Sequence, residues 1–185
     1  TGNSGGPLID LDGELIGIAD SGVDPDVCWM IDEPKGLPVA SSVPADGALA
    51  GPIPVDPTRR KNVAYNLLGS FQAQATAYDV RTGDPHGTWA AVSAVGDDPT
   101  NPASESNPLG PHHDPGDGVA PLAKLVVEDL GDDKGNLVGL GLPVPLIVDR
   151  MFEQMRDAGA RISTNSWGVA RNAYDTLAFF SDRMA

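Results

Sequence analysis

Cysteine is almost missing from the 185 residues. Cys28 stands alone, which excludes an internal disulfide and a thiolate metal cluster, and with nothing to pair with it reads as a small buried residue. Aromatic side chains make up 5% against 41% hydrophobic residues overall, so the core must rest on Val, Ile, Leu and Ala rather than on large rings. Positive charge is scarce too: 12 Lys and Arg face 26 Asp and Glu, a net charge of −14 spread along the whole length. That balance excludes a nucleic-acid backbone as partner, and no polybasic patch exists to draw the chain to an anionic membrane surface. No apolar run approaches the roughly 18 residues of a membrane span, and no segment has the pattern of a signal peptide. The sequence begins at Thr1 and stops at Ala185 inside a stretch, 174–185, that reads as helix, so it reads as a piece of something longer.

What is plentiful is glycine and proline, 22 and 17 residues, well above the average share, and long structured loops are therefore expected. Residues 14–20 form a short apolar run ending in Asp20 and bounded by Gly13 and Ser21-Gly22, the pattern of a buried strand. Residues 33–58 are rich in proline and lack apolar periodicity, so they read as a surface insertion made of loop. Residues 62–68 read as a further strand, and 86–95 have the small residues of a tightly packed helix. A second loop covers 97–118, with turn chemistry at Asp97-Asp98-Pro99, Asn101-Pro102 and Asp114-Pro115-Gly116-Asp117-Gly118. Beyond it, 123–129 reads as a strand and 145–158 as an amphipathic helix with Ile147, Met151, Met155 and Ala158 near one face. Gly159 caps that helix, and 161–166 begins another strand. Strands alternating with helices over one domain's length imply an α/β fold, a mostly parallel sheet flanked by helices.

Open parallel sheets carry their functional groups at the carboxyl ends of strands. Asp20 is at such an end, before a turn that fixes its carboxylate toward the crevice. His86 opens a helix, between Asp84-Pro85 and Gly87-Thr88, so backbone rather than a loose loop holds it. An Asp and a His on two rigid elements are two of the three parts that activate a serine hydroxyl, because the carboxylate orients the imidazole and stabilises its protonated form.

Four segments in order strengthen that reading: Ile18-Ala19-Asp20-Ser21-Gly22-Val23-Asp24, His86-Gly87-Thr88, Asp117-Gly118-Val119-Ala120-Pro121-Leu122-Ala123-Lys124-Leu125, and Ile162-Ser163-Thr164-Asn165-Ser166-Trp167-Gly168. Together they resemble the subtilisin-like serine peptidases, the subtilases, from about residue 14 to 180. The resemblance implies a subtilisin-like fold truncated at its C-terminus, with Asp20 as orienting acid and His86 as general base. It implies that Ser166, Trp167 and Gly168 line the cleft for a polypeptide substrate, bound extended as an added strand. It also implies an exported protein; no cofactor is assigned, calcium being possible. Two departures matter. Trp89 stands where the family has a second histidine, and no Gly-Thr-Ser nucleophile segment or Gly-Asn oxyanion segment follows Gly168. The reading is therefore the N-terminal part of a catalytic domain, inactive by itself, the alternative being a non-catalytic peptide-binding or structural descendant of the fold.

Two further signals compete. Thr1-Gly2-Asn3-Ser4-Gly5-Gly6-Pro7-Leu8 resembles the nucleophile loop of trypsin-like peptidases, where convergent backbone N–H groups hold an oxyanion, but that family places its His and Asp before the serine. Ser4 is therefore expected not to be a nucleophile. Asp97, Asp98, Asp114, Asp117, Asp129, Asp132 and Asp133 offer the hard oxygens calcium takes, yet without the spacing of a helix-loop-helix site, so they read as solvated acidic surface. His112-His113 lacks a partner spacing for zinc. No metal is assigned, and the oligomeric state is left open.

Overall fold

The structure, a computed structural model, describes residues 14–33, 35–42, 53–68, 78–79, 84–100, 117–132, 134–137, 144–168, 174–176, 178–179 and 182. Five strands and two helices follow in the order β1 (Leu15–Asp20), β2 (Ala40–Ser42), β3 (Asn62–Leu67), α1 (His86–Val95), β4 (Lys124–Asp129), α2 (Val144–Asp157) and β5 (Ile162–Thr164). They form one sheet in the order β2-β3-β4-β1-β5, and every strand pair in it is parallel. This is the α/β architecture expected from the alternation of elements. None of the described helices is long and apolar enough to cross a membrane.

The period of two along each strand sorts side chains to two faces. Ile16 and Ile18 of β1, Tyr65 of β3, and Leu125 and Val127 of β4 pack with Ala91 and Val95 of α1. Ala19, Ala64 and Val126 face the other way and pack with Met151 and Met155 of α2 and with Ala158 just beyond its end. Each helix thus covers one face, which is why β1 and β4 are apolar on both sides. The same alternation puts Asp20 and Asp129, register partners at the carboxyl ends of β1 and β4, on the α1 face.

Three expectations need correction. Residues 33–58 are not all loop: Ala40–Ser42 pair with Tyr65, Asn66 and Leu67 as the edge strand β2, and Ile53 is in the core. A three-residue edge strand between prolines leaves too short a pattern to detect, and backbone pairing plus the bond from Ser41 Oγ to the Tyr65 carbonyl (3.1 Å) hold it. Cys28 is exposed, not buried; the turn that carries it sends Met30 inward instead. The acidic residues are not a solvated surface throughout, since Asp97, Asp129 and Asp132 are buried. Asp97 meets Arg60 (3.1 Å) and Asp132 folds its loop by accepting from the amides of Lys134 and Asn136.

Candidate functional site

Asp20 ends β1 with 2% of its side chain exposed, while the side chain of His86, the first residue of α1, is 44% exposed. Their contact spans 66 positions of sequence: His86 Nδ1 is 2.8 Å from Asp20 Oδ1. A carboxylate only accepts, so Nδ1 carries the proton and donates, leaving the Nε2 lone pair free. The imidazole pKa is raised above its ordinary value, first by this hydrogen bond, with the charges of Asp20, Asp84 and Asp79 adding to it against the opposing effect of burial.

Beneath the pair lies a polar layer that the sequence did not announce. The Ser21 amide donates to Asp20 Oδ1 (2.7 Å), and Ser21 Oγ donates to Asp79 Oδ1 (3.2 Å) while accepting from the Gly87 amide (3.0 Å). Asp79 Oδ2 accepts from both the amide and the hydroxyl of Thr88 (2.9 and 2.7 Å). Thr88 Oγ1 in turn accepts from the Asp24 amide (2.9 Å). Behind these, Asp129 accepts from Tyr65 Oη (2.8 Å) and from the Gly131 amide (2.8 Å). Glycine is required three times here. A Cβ at Gly131 would come within 2.1 Å of the Ser21 carbonyl oxygen. Gly22 adopts φ +111° with Asp129 Oδ2 and the Asp79 amide against its α-carbon, and Gly87 lies so close to the Gly22 carbonyl that a Cβ would come within 2.0 Å of that oxygen.

Burial pushes the Asp129 carboxyl up to about 7, against the lowering effect of its hydrogen bonds. The folded state therefore holds a proton that the unfolded chain releases near 3.8. Its contribution to stability is complete below pH 3.8 and disappears as the pH rises through 7. Asp129→Asn, which mimics the protonated acid, is expected to flatten the decline of thermal stability between pH 4 and 8, by up to a few kcal/mol at the roughly 1.4 kcal/mol per pKa unit of linkage. Thermal unfolding followed by circular dichroism across that range checks it; equal slopes in the two proteins would refute it.

A cleft of about 590 Å³ opens beside the imidazole, lined by His86, Trp89, Val119, Ile162, Thr164 and Ser166 among others. Its combination with the buried carboxylate, the imidazole and an adjoining strand end agrees with the comparison of the whole sequence, in which residues 12–181 match the model of the subtilase family. The chain belongs to the subtilase family. No curated protein matches it.

Of the residues expected at a subtilase site, the structure brings His86 and Ser166 to one cleft, with Asp20 buried behind the imidazole and bonded to it. Trp167 does not line it: the ring packs on the α2-side core and its indole Nε1 donates to the Ala19 carbonyl (2.7 Å). Gly168 is exposed. Trp89 is 59% exposed and forms a wall between the His86 cleft and a second hollow of about 550 Å³ that Trp29 and Asp24 also line. Ser4, His112, His113, Asp114 and Asp133 lie outside the described residues. Among the described residues no three of His, Cys, Asp or Glu group so as to hold a metal ion. Ser21 and Thr88 were legible only as letters of short motifs; Asp79 had no signal at all.

Proposed function

We propose that the chain supplies two members of the triad of a serine endopeptidase, Asp20 as orienting acid and His86 as general base. The observation that carries this reading is the 2.8 Å bond between a buried carboxylate and Nδ1 of an imidazole whose other edge is open. In the reaction, a serine hydroxyl attacks the peptide carbonyl and passes its proton to His86 Nε2. Asp20 stabilises the imidazolium, which then returns the proton to the leaving amine as the tetrahedral adduct collapses to an acyl ester. Water repeats the sequence to release the acid. No cofactor takes part, and polypeptide is the substrate, lying extended along the backbone of Ser166–Gly168 beside β5. The protein is exported, as subtilases commonly are. No Gly-Thr-Ser segment occurs in the 185 residues.

Trp89, which stands where the family has a second histidine and is exposed beside His86, favours one other reading, a peptide-binding module without chemistry. Casein hydrolysis by the full-length gene product separates the two: activity abolished by His86→Ala is expected, and hydrolysis that survives that change overturns the assignment. The 185 residues alone are expected to leave casein intact and to take no fluorophosphonate label. A label on Ser4 would favour the trypsin-like reading of Thr1–Leu8 instead.

A further inference from the structure

We infer that Asp79 is a positioning residue for His86, acting as the N-terminal cap of α1 from outside the helix. An α-helix leaves its first amides without intrahelical partners, and a neighbouring side chain ordinarily accepts from the second or third of them. Here the residue before the helix is Pro85, which makes no side-chain cap bond. The two amides are instead taken by remote groups: Gly87 donates to Ser21 Oγ, and Thr88 donates to Asp79 Oδ2. Ser21 Oγ itself donates to Asp79 Oδ1. One carboxylate therefore grips the helix directly through Thr88 and indirectly through Ser21, with Ser21 joined through its amide to Asp20. The helix that begins with His86 and the turn that follows Asp20 are fastened to the same two oxygens.

The backbone around Asp79 is built for that grip. Tyr78 has φ 73°, a left-handed conformation that is costly for a bulky residue and that survives only where surroundings enforce it. Its amide donates to the Asp129 carboxylate, its hydroxyl donates to the Pro38 carbonyl (2.6 Å), and its ring meets the edge of Tyr65 with centroids 5.1 Å apart. Gly22 makes room for the segment, since a Cβ there would come within 3.0 Å of the Asp79 amide. A negative carboxylate also suits the positive end of the helix dipole. Strain, close approach and charge all converge on placing one carboxylate under the helix terminus.

The inference rests on the triad reading for its catalytic meaning, but its test does not need hydrolysis. The readout is the imidazole of His86 in the 185-residue chain, followed by NMR with His112→Gln and His113→Gln in the background so that one histidine titrates. In the parent chain the Nδ1 proton bonded to Asp20 is expected as a resolved downfield resonance. Asp79→Asn keeps one acceptor oxygen but offers an amide where the other was. It is expected to retain the circular dichroism of the fold while broadening or losing that resonance and lowering the His86 pKa, and to cost the full-length peptidase on the order of 10²-fold in kcat, the price of an ångström of misplacement. Ser21→Ala, which leaves the Asp79 charge and its bonds to Thr88 intact, is expected to weaken the same resonance and serves alone if Asp79→Asn does not fold. A downfield proton and titration unchanged in either folded variant overturns the inference. Asp20→Asn is the control: if it too leaves His86 unchanged, the triad reading fails, whereas a response to Asp20→Asn alone removes only the role of Asp79.

Discussion

Asp20→Asn is expected to lower kcat of the full-length peptidase by about 10⁴-fold, the scale on which a serine peptidase depends on the carboxylate of its triad. An asparagine can present its amide to His86 Nδ1, and the imidazole then carries its proton on Nε2, where the lone pair is needed. The sign on His86 is fixed by the same contact. Its pKa is raised chiefly by the hydrogen bond to Asp20, so removing the charge brings it down toward 6.5. Because the base works in its neutral form, the acid limb of the pH–rate profile lies at higher pH in the parent and moves lower in Asp20→Asn as the residual rate falls. Steady-state kinetics from pH 5 to 9 and the NMR titration of His86 measure both. A variant with parental kcat and an unmoved titration would remove Asp20 from the mechanism.

Gly87→Ala is expected to be among the most damaging single methyls in the described structure. The added carbon would be 2.0 Å from the Gly22 carbonyl oxygen and 3.0 Å from Asp20 Cβ, and neither neighbour is the end of a flexible side chain. Relief requires the first turn of α1 to back away from the end of β1. Overpacking of this kind costs about 3 kcal/mol or more when backbone must give, and the movement pulls His86 off Asp20. Urea unfolding should show the loss of stability, and any folded fraction should lack the downfield Nδ1 proton. Gly168→Ala, where an added Cβ meets nothing within 4 Å, should leave the urea midpoint in place. Equal midpoints for the two variants would mean that α1 does not press on the Asp-Ser-Gly turn.

The contrast between those glycines marks the limit of what sequence discloses. β1, β4 and α2 were readable because each buries enough apolar residues to show in the sequence, as with Ile16 and Ile18 on one face of β1 and Met151 and Met155 on one stripe of α2, whereas α1 was readable from its small, closely packed residues. The dyad was readable because Asp20 and His86 occupy a strand end and a helix start whose neighbours spell short motifs. β2 was not, since three residues carry no period and its bonds are to backbone. Asp129 was misjudged because acidity predicts solvent, and only the tertiary fold supplies the Tyr65 hydroxyl and Gly131 amide that let a carboxyl be buried. Asp79 is the extreme case. Its partners Ser21 and Thr88 lie 58 and 9 positions away, and nothing in the local pattern distinguishes it from any other acidic residue.

The place of β1 in the sheet also bears on how the chain is born. Its two neighbours are β4 and β5, with Leu15 opposite Lys124 and Ile16 opposite Ile162, so neither exists when β1 leaves the ribosome. At the usual pace of translation the strand waits on the order of ten seconds, apolar on both faces and unpaired on both edges. Pairings that distant in sequence form slowly even in the finished chain. Asp20 and His86 are both synthesised before β4, yet the strand end that aims Asp20 is fixed only when β4 docks, so the nascent polypeptide carries both groups of the dyad without their alignment. The same interval makes residues 15–20 the segment most exposed to edge-to-edge pairing with another newborn chain, and the stretch that a chaperone would have most reason to cover.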